Sequence, residues 1–168
     1  LIEKTRKEKK CCVVHTSDAF IKAFNRKKTI IKILERELTP ESKQYQVYFQ
    51  PIVSIKENKF VYAESLSRLV DTELGNISPG EFIPIAESNG LIEKLGRVNF
   101  EKVCDFISRN KDVVKAVSVN FSVYQMMNPE TKSFVFDTIE KYGIKPENII
   151  MEITESIFID DFELIRKR

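Results

Sequence analysis

Beyond residue 77 the apolar side chains of this chain change spacing three times, from helical to alternating and back, and no other feature restricts the fold as much. SPGE opens the first helical stretch. Ser78 is placed to cap it, Pro79 fits its first turn, Glu81 is placed to reach back as a capping box, and Pro84 is expected to kink it. Leu91, Leu95, Val98, Val103 and Ile107 extend a second helical stripe. In AVSVNFS the period becomes two, with Val117, Val119 and Phe121 on one strand face. SFVFDTIEKYGI returns to helix and stops at Gly143, and Pro146 precedes the strand NIIMEIT. Such alternation predicts an α/β fold with a parallel sheet covered by helices, either an open sheet or a (β/α)8 barrel, with its site at the strand C-termini.

Upstream the order is helix, then hairpin. Between Ser17 and Leu38 the residues Phe20, Phe24, Ile31, Leu34 and Leu38 fall near helical spacing, Ser17 is the cap and Pro40 the stop. Tyr45, Val47 and Phe49 alternate with polar residues through QVYFQPIVSI; the polar turn KENK then leads into FVYAESLSRLV. About four strands are visible where a whole barrel takes roughly 250 residues, so the expectation is the N-terminal part of a barrel. Leu1 in place of an initiator Met and a helical pattern reaching the last residue point the same way.

Charge and cysteine usage narrow the function classes. The net charge of +2 arises in LIEKTRKEKK, where five basic residues face two acidic ones; the remainder carries 22 basic and 23 acidic side chains. A neutral body argues against a nucleic-acid polymer as partner. Cys11, Cys12 and Cys104 form no C-x-x-C and His15 is the lone histidine, so neither a disulfide framework nor a thiolate zinc site is encoded. The setting expected from this is reducing and cytoplasmic. There is no apolar run of about 18 residues, and membrane attachment of a longer parent stays open.

Period two places Glu64, Leu66 and Arg68 on one face of the second β-rich run and Val61, Ala63 and Ser65 on the other. Ser118, Asn120 and Ser122 form the polar face of the next strand, and Glu152 and Thr154 stand opposite Met151 and Ile153. Three strands thus present the oxygen donors that a hard cation, Mg²⁺ or Mn²⁺, requires, and the Arg68 fork suits a phosphate. Each residue also has an ordinary explanation. Glu64 and Arg68 would make an ion pair at a barrel end, Asn120 would bond a loop, and Glu152 would face water.

Five separated stretches, YFQPIVSI, AESLSRL, PGEFIPIAESNGLIEKLG, VNFSVYQ and MEITES, resemble the EAL domain, the family named for its Glu-x-Leu motif that cleaves cyclic di-GMP. The resemblance runs from about Tyr45 to the end. It implies the N-terminal half of a (β/α)8 barrel with an initial hairpin over residues 41–168. Residues 1–40 are then a linker and leading helix following a GGDEF-type or sensory domain. It further implies that Glu64, Asn120 and Glu152 are metal ligands, that Gln50, Leu66 and Arg68 contact the dinucleotide, and that the product is linear pGpG. Ser65 stands where the motif has Ala, Phe49 where Tyr is common, and Leu69 where Trp often follows the Arg. These departures leave a non-catalytic cyclic di-GMP-binding module as the alternative.

Near the end, Asp160-Asp161-Phe162 has the letters of the family's Asp-Asp-Phe-Gly motif, but no Gly follows and the pair comes a whole helix too early. It is read as the acidic start of a helix. The remaining catalytic groups are expected beyond Arg168, so the 168-residue chain is expected to be inactive by itself and prone to self-association along its unpaired sheet edge.

Overall fold

The computed structural model describes residues 17–153; Cys11, Cys12, His15, Thr154, Asp160 and Asp161 lie outside them. The first helix, α1 (Asp18–Glu37), begins where the Ser17 side chain accepts the Phe20 N–H at 3.3 Å. Its buried stripe is Ile30, Ile33 and Leu34, continued by Leu38. Phe20 and Phe24, expected within that stripe, are instead exposed and stack on each other, because the buried apolar contacts of α1 with the rest of the fold begin at Ile30.

Strands β1 (Tyr45–Ser54) and β2 (Lys59–Asp71) form the expected antiparallel hairpin, with an irregularity between Ile52 and Val53. Sequence spacing had not disclosed β3 (Gly75–Ile77), which folds back on β2 as Asp71 accepts the N–H groups of Glu73 and Leu74. Next come α2 (Pro79–Ser88), α3 (Ile92–Arg109), β4 (Ala116–Phe121), the five-residue α4 (Val123–Met127), α5 (Glu130–Lys141) and, after a 3-10 turn, β5 (Ile149–Ile153). β4 pairs parallel with both β2 and β5, giving the order β1-β2-β4-β5 with β3 on β2.

Helices cover one face of this sheet. Ala63, Val117, Val119 and Phe121 pack on Phe100, Val103 and Ile107 of α3 and on Val135 and Ile139 of α5. A second cluster joins α1 to Tyr45, Leu69, Phe82, Ile85, Ile92 and Leu95. Among the described residues no helix is long and apolar enough to cross a membrane.

Two local expectations change. The capping box at Ser78 does not form, since Glu81 bonds Arg26 of α1 instead. Ser122, expected on a polar strand face, caps α4 in a capping box with Gln125. Gln125 also explains a glycine in the middle of α3. A Cβ on Gly96 would lie 1.5 Å from Gln125 Nε2, while Gln125 Oε1 accepts the Ser122 N–H at 2.8 Å. Ala ordinarily improves a helix interior by about 1 kcal/mol over Gly. Here Gly96→Ala is expected to cost about 1–3 kcal/mol by displacing the Gln125 amide, read as a lower urea midpoint of the full-length protein. A raised midpoint would mean that Gln125 moves aside freely.

Candidate active site

The sheet face turned away from the helices collects the sequence-predicted residues. Because Ala63, Val117 and Val119 turn toward the helices, their even-numbered neighbours turn the other way. Gln50 stands opposite Glu64 across the hairpin, Glu64 is in register with Ser118, and Asn120 with Glu152. Asn120 Nδ2 donates to Glu64 Oε1 at 3.4 Å. Glu64 is half-buried, while Asn120 and Glu152 are exposed.

Arg68 and Leu66 sit further along the same face, opposite Gln46 and Tyr48. The Arg68 guanidinium lies 5.5 Å from the Tyr48 ring centroid, and its Nη1 donates to the Ser67 carbonyl at 2.9 Å. It does not pair with Glu64. Among the described residues neither Glu64 nor Glu152 joins an ion pair, which removes the ordinary explanation of Glu64 and Arg68 as mutual partners. Leu66, Arg68 and Asn120 also line a cavity of about 260 Å³ beside α2 and α3, together with Ile83, Glu87 and Gln125. Gln50, Glu64 and Glu152 lie on the adjoining open face and outside that lining.

Tyr48 and Glu87 were not anticipated as part of this region. Tyr48 was legible, standing two residues before Gln50 on the same strand face; Glu87 was not, because only the packing of α2 brings it to the cavity. The three departures from the family pattern fall on the odd-numbered, helix-covered side, although Ser65 also lines the cavity. Phe49 stacks on Phe106 with ring centroids 3.7 Å apart, Leu69 is in the core, and Ser65 donates to the Ser118 carbonyl at 2.8 Å. Ser65 therefore ties β2 to β4 directly behind Glu64 and Asn120.

The donor chemistry suits a hard cation in part. Two carboxylates and one amide oxygen are available, and beside Glu64 the Ser118 hydroxyl is buried with no hydrogen-bond partner among the described residues. Such a group normally has a water or ligand to bond. No cluster of three or more His, Cys, Asp or Glu side chains that could hold a metal ion occurs among the described residues.

The family model for the EAL domain matches residues 31–167. This chain belongs to the EAL-domain family. Its curated relatives include the signaling protein YkoW of Bacillus subtilis, 32% identical over 129 residues, covering 76% of this chain and 16% of that protein. The probable cyclic di-GMP phosphodiesterase PdeB of Escherichia coli is 31% identical over 143 residues, covering 78% of this chain and 27% of PdeB. The structure of the PaMucR phosphodiesterase in complex with c-di-GMP superposes with a TM-score of 0.73 at 26% identity, over 82% of this chain and 56% of that one. The chain thus spans about half of that solved chain, and 16% and 27% of these two curated relatives. Its hairpin and parallel strands are the first part of the EAL-type barrel, as expected.

Proposed function

We propose that this chain carries the first part of the active site of a cyclic di-GMP phosphodiesterase, in which Glu64, Asn120 and Glu152 hold Mg²⁺ or Mn²⁺ and Gln50, Leu66 and Arg68 contact the dinucleotide. The observation that carries this reading is the strand register that gathers Gln50, Glu64, Asn120 and Glu152 from four strands onto one open face. A relative named as a probable cyclic di-GMP phosphodiesterase, and a phosphodiesterase solved with c-di-GMP, support the choice of substrate.

The reaction is hydrolysis of one of the two phosphodiesters: water adds to phosphorus, the bond to the 3′ oxygen breaks, that oxygen takes a proton, and linear pGpG results. A bound cation would acidify a coordinated water and offset the charge developing on the phosphorus oxygens. The chain's own groups would do the positioning. Asn120, with Nδ2 committed to Glu64, would offer Oδ1 to the cation; Arg68, held by the Ser67 carbonyl and Tyr48, would direct its planar fork at a phosphate. Leu66 would supply apolar contact to a base.

The test is turnover of cyclic di-GMP by the full-length protein with Mg²⁺, followed as pGpG by chromatography and repeated with a chelator. Metal-dependent release of pGpG is expected. Nucleotide that binds but stays intact under all metal conditions would reject the enzyme reading in favour of a binding module. The 168 residues alone are expected to turn over nothing, since they offer three of about six cation ligands.

A further inference from the structure

Helix α2 is bounded on both sides. Pro79, Ile83 and Glu87, spaced four apart on one stripe, line the cavity that holds Leu66, Arg68 and Asn120. Phe82, Ile85 and Ala86, on the other side, share a core cluster with Ile30, Ile33 and Leu34 of α1. α2 has little of its own to fix it. It is ten residues long, its cap residue Ser78 makes no side-chain bond, and Pro84 withdraws one N–H from the ladder. Its placement is therefore set by what packs against it, and the link nearest its N-terminus is ionic.

Arg26 Nε donates to Glu81 Oε1 at 2.6 Å and Nη2 to Oε2 at 2.9 Å, a two-point pairing of planar groups. The guanidinium holds the Glu81 carboxyl below its ordinary range. An exposed single-contact pair would contribute almost nothing, but a forked one fixes direction as well as distance, and both partners are only partly exposed. Arg26 itself is not at the cavity.

We propose that α1 positions the nucleotide cavity through α2, with the Arg26–Glu81 pair as the link, which makes Arg26 a positioning residue for a site it does not touch. The proposal rests on reading that cavity as part of the cyclic di-GMP site. A shift of α1 along its axis pulls Glu81, and with it the stripe of Pro79, Ile83 and Glu87 that faces Leu66 and Arg68. Whatever α1 is attached to would then change affinity at the site with no contact to the nucleotide.

The experiment takes Arg26→Glu, Glu81→Arg and the exchanged pair in the full-length protein, with Glu81→Gln as a milder variant should a reversal fail to fold. Cyclic di-GMP affinity by calorimetry and amide hydrogen exchange are both read well below the unfolding temperature of every variant. Each single change is expected to weaken binding roughly five-fold and to speed exchange across residues 79–88, while residues 130–141 stay as in the unaltered protein. The exchanged pair is expected to restore both. Unaltered exchange across 79–88, unaltered affinity alongside faster exchange, or no restoration in the exchanged pair would each overturn the proposal. Should the unaltered protein bind no cyclic di-GMP, the functional reading fails on its own, and exchange across 79–88 and 66–68 still decides whether the pair couples α1 to the cavity.

Discussion

Glu64→Gln in the full-length protein is expected to lower cyclic di-GMP turnover by about a thousand-fold while leaving the fold intact. Gln keeps the size of the side chain and an oxygen that can still accept from Asn120 Nδ2, so the hairpin pairing with Gln50 and the register with Ser118 have no reason to change. What is lost is one negative charge from the three donors proposed for the cation. Lewis-acid assistance is worth several kcal/mol, and a loss of about 4 kcal/mol is roughly a thousand-fold at 1.36 kcal/mol per factor of ten. Binding of the nucleotide without metal should change little, because Arg68 and Leu66 stand further along the strand and Gln50, opposite Glu64, keeps its place in the hairpin register. Steady-state turnover together with calorimetry in chelator checks both halves. Turnover within ten-fold of the unaltered protein would remove Glu64 from the cation set.

Phe100→Ala is expected to destabilise the protein by about 3–5 kcal/mol, most of the stability of a marginal domain. Phe100 is completely buried on α3 and meets Phe121 of β4 and Phe134 of α5, with ring centroids 5.9 Å away in both cases. It is the side chain through which a helix, a strand and the next helix share one core, so no single neighbour can move in to fill the space. Phe60→Ala, at a ring 64% exposed near the hairpin turn, serves as the control and is expected to stay within about 0.5 kcal/mol. Urea unfolding gives both values. A Phe100→Ala loss below 1 kcal/mol would mean that the core closes around the gap.

The features that were legible in the sequence are those written in local period. Alternation in AESLSRL put Glu64, Leu66 and Arg68 on one face and Ser65 on the other, and the register agrees. Ser17 caps α1, and Gly143, at a positive φ of 58°, follows the end of α5. Features decided by distant partners were not legible. Ser78 and Glu81 have the spacing of a capping box, but Arg26, 55 positions away, competes for the carboxylate and offers two bonds. Strand β3 is too short for a period to show, and it exists because Asp71 turns the chain back toward β2. In the site, spacing along a strand supplied candidates strand by strand. That Asn120 comes level with Glu152 and reaches Glu64 depends on pairing between strands, which no single strand encodes. The alternation of helix and strand narrowed the fold to two architectures, and the family pattern chose the barrel.

The different ways the strands are joined set an order in which the site comes together. β1 and β2 are linked through the short turn after Ser54 and can zip in about 1–10 μs, as isolated hairpins do. Glu64 and Asn120 meet across 56 positions of chain, with α2 and α3 to be laid down between them, so their pairing waits on closure of a long loop. The transition state for folding is therefore expected to have Gln50 beside Glu64 before Asn120 or Glu152 comes near either. A cation has no preformed set of donors to grip at that stage. It would leave the folding rate unchanged and slow unfolding instead, a kinetic signature that stopped-flow traces with and without Mg²⁺ would separate.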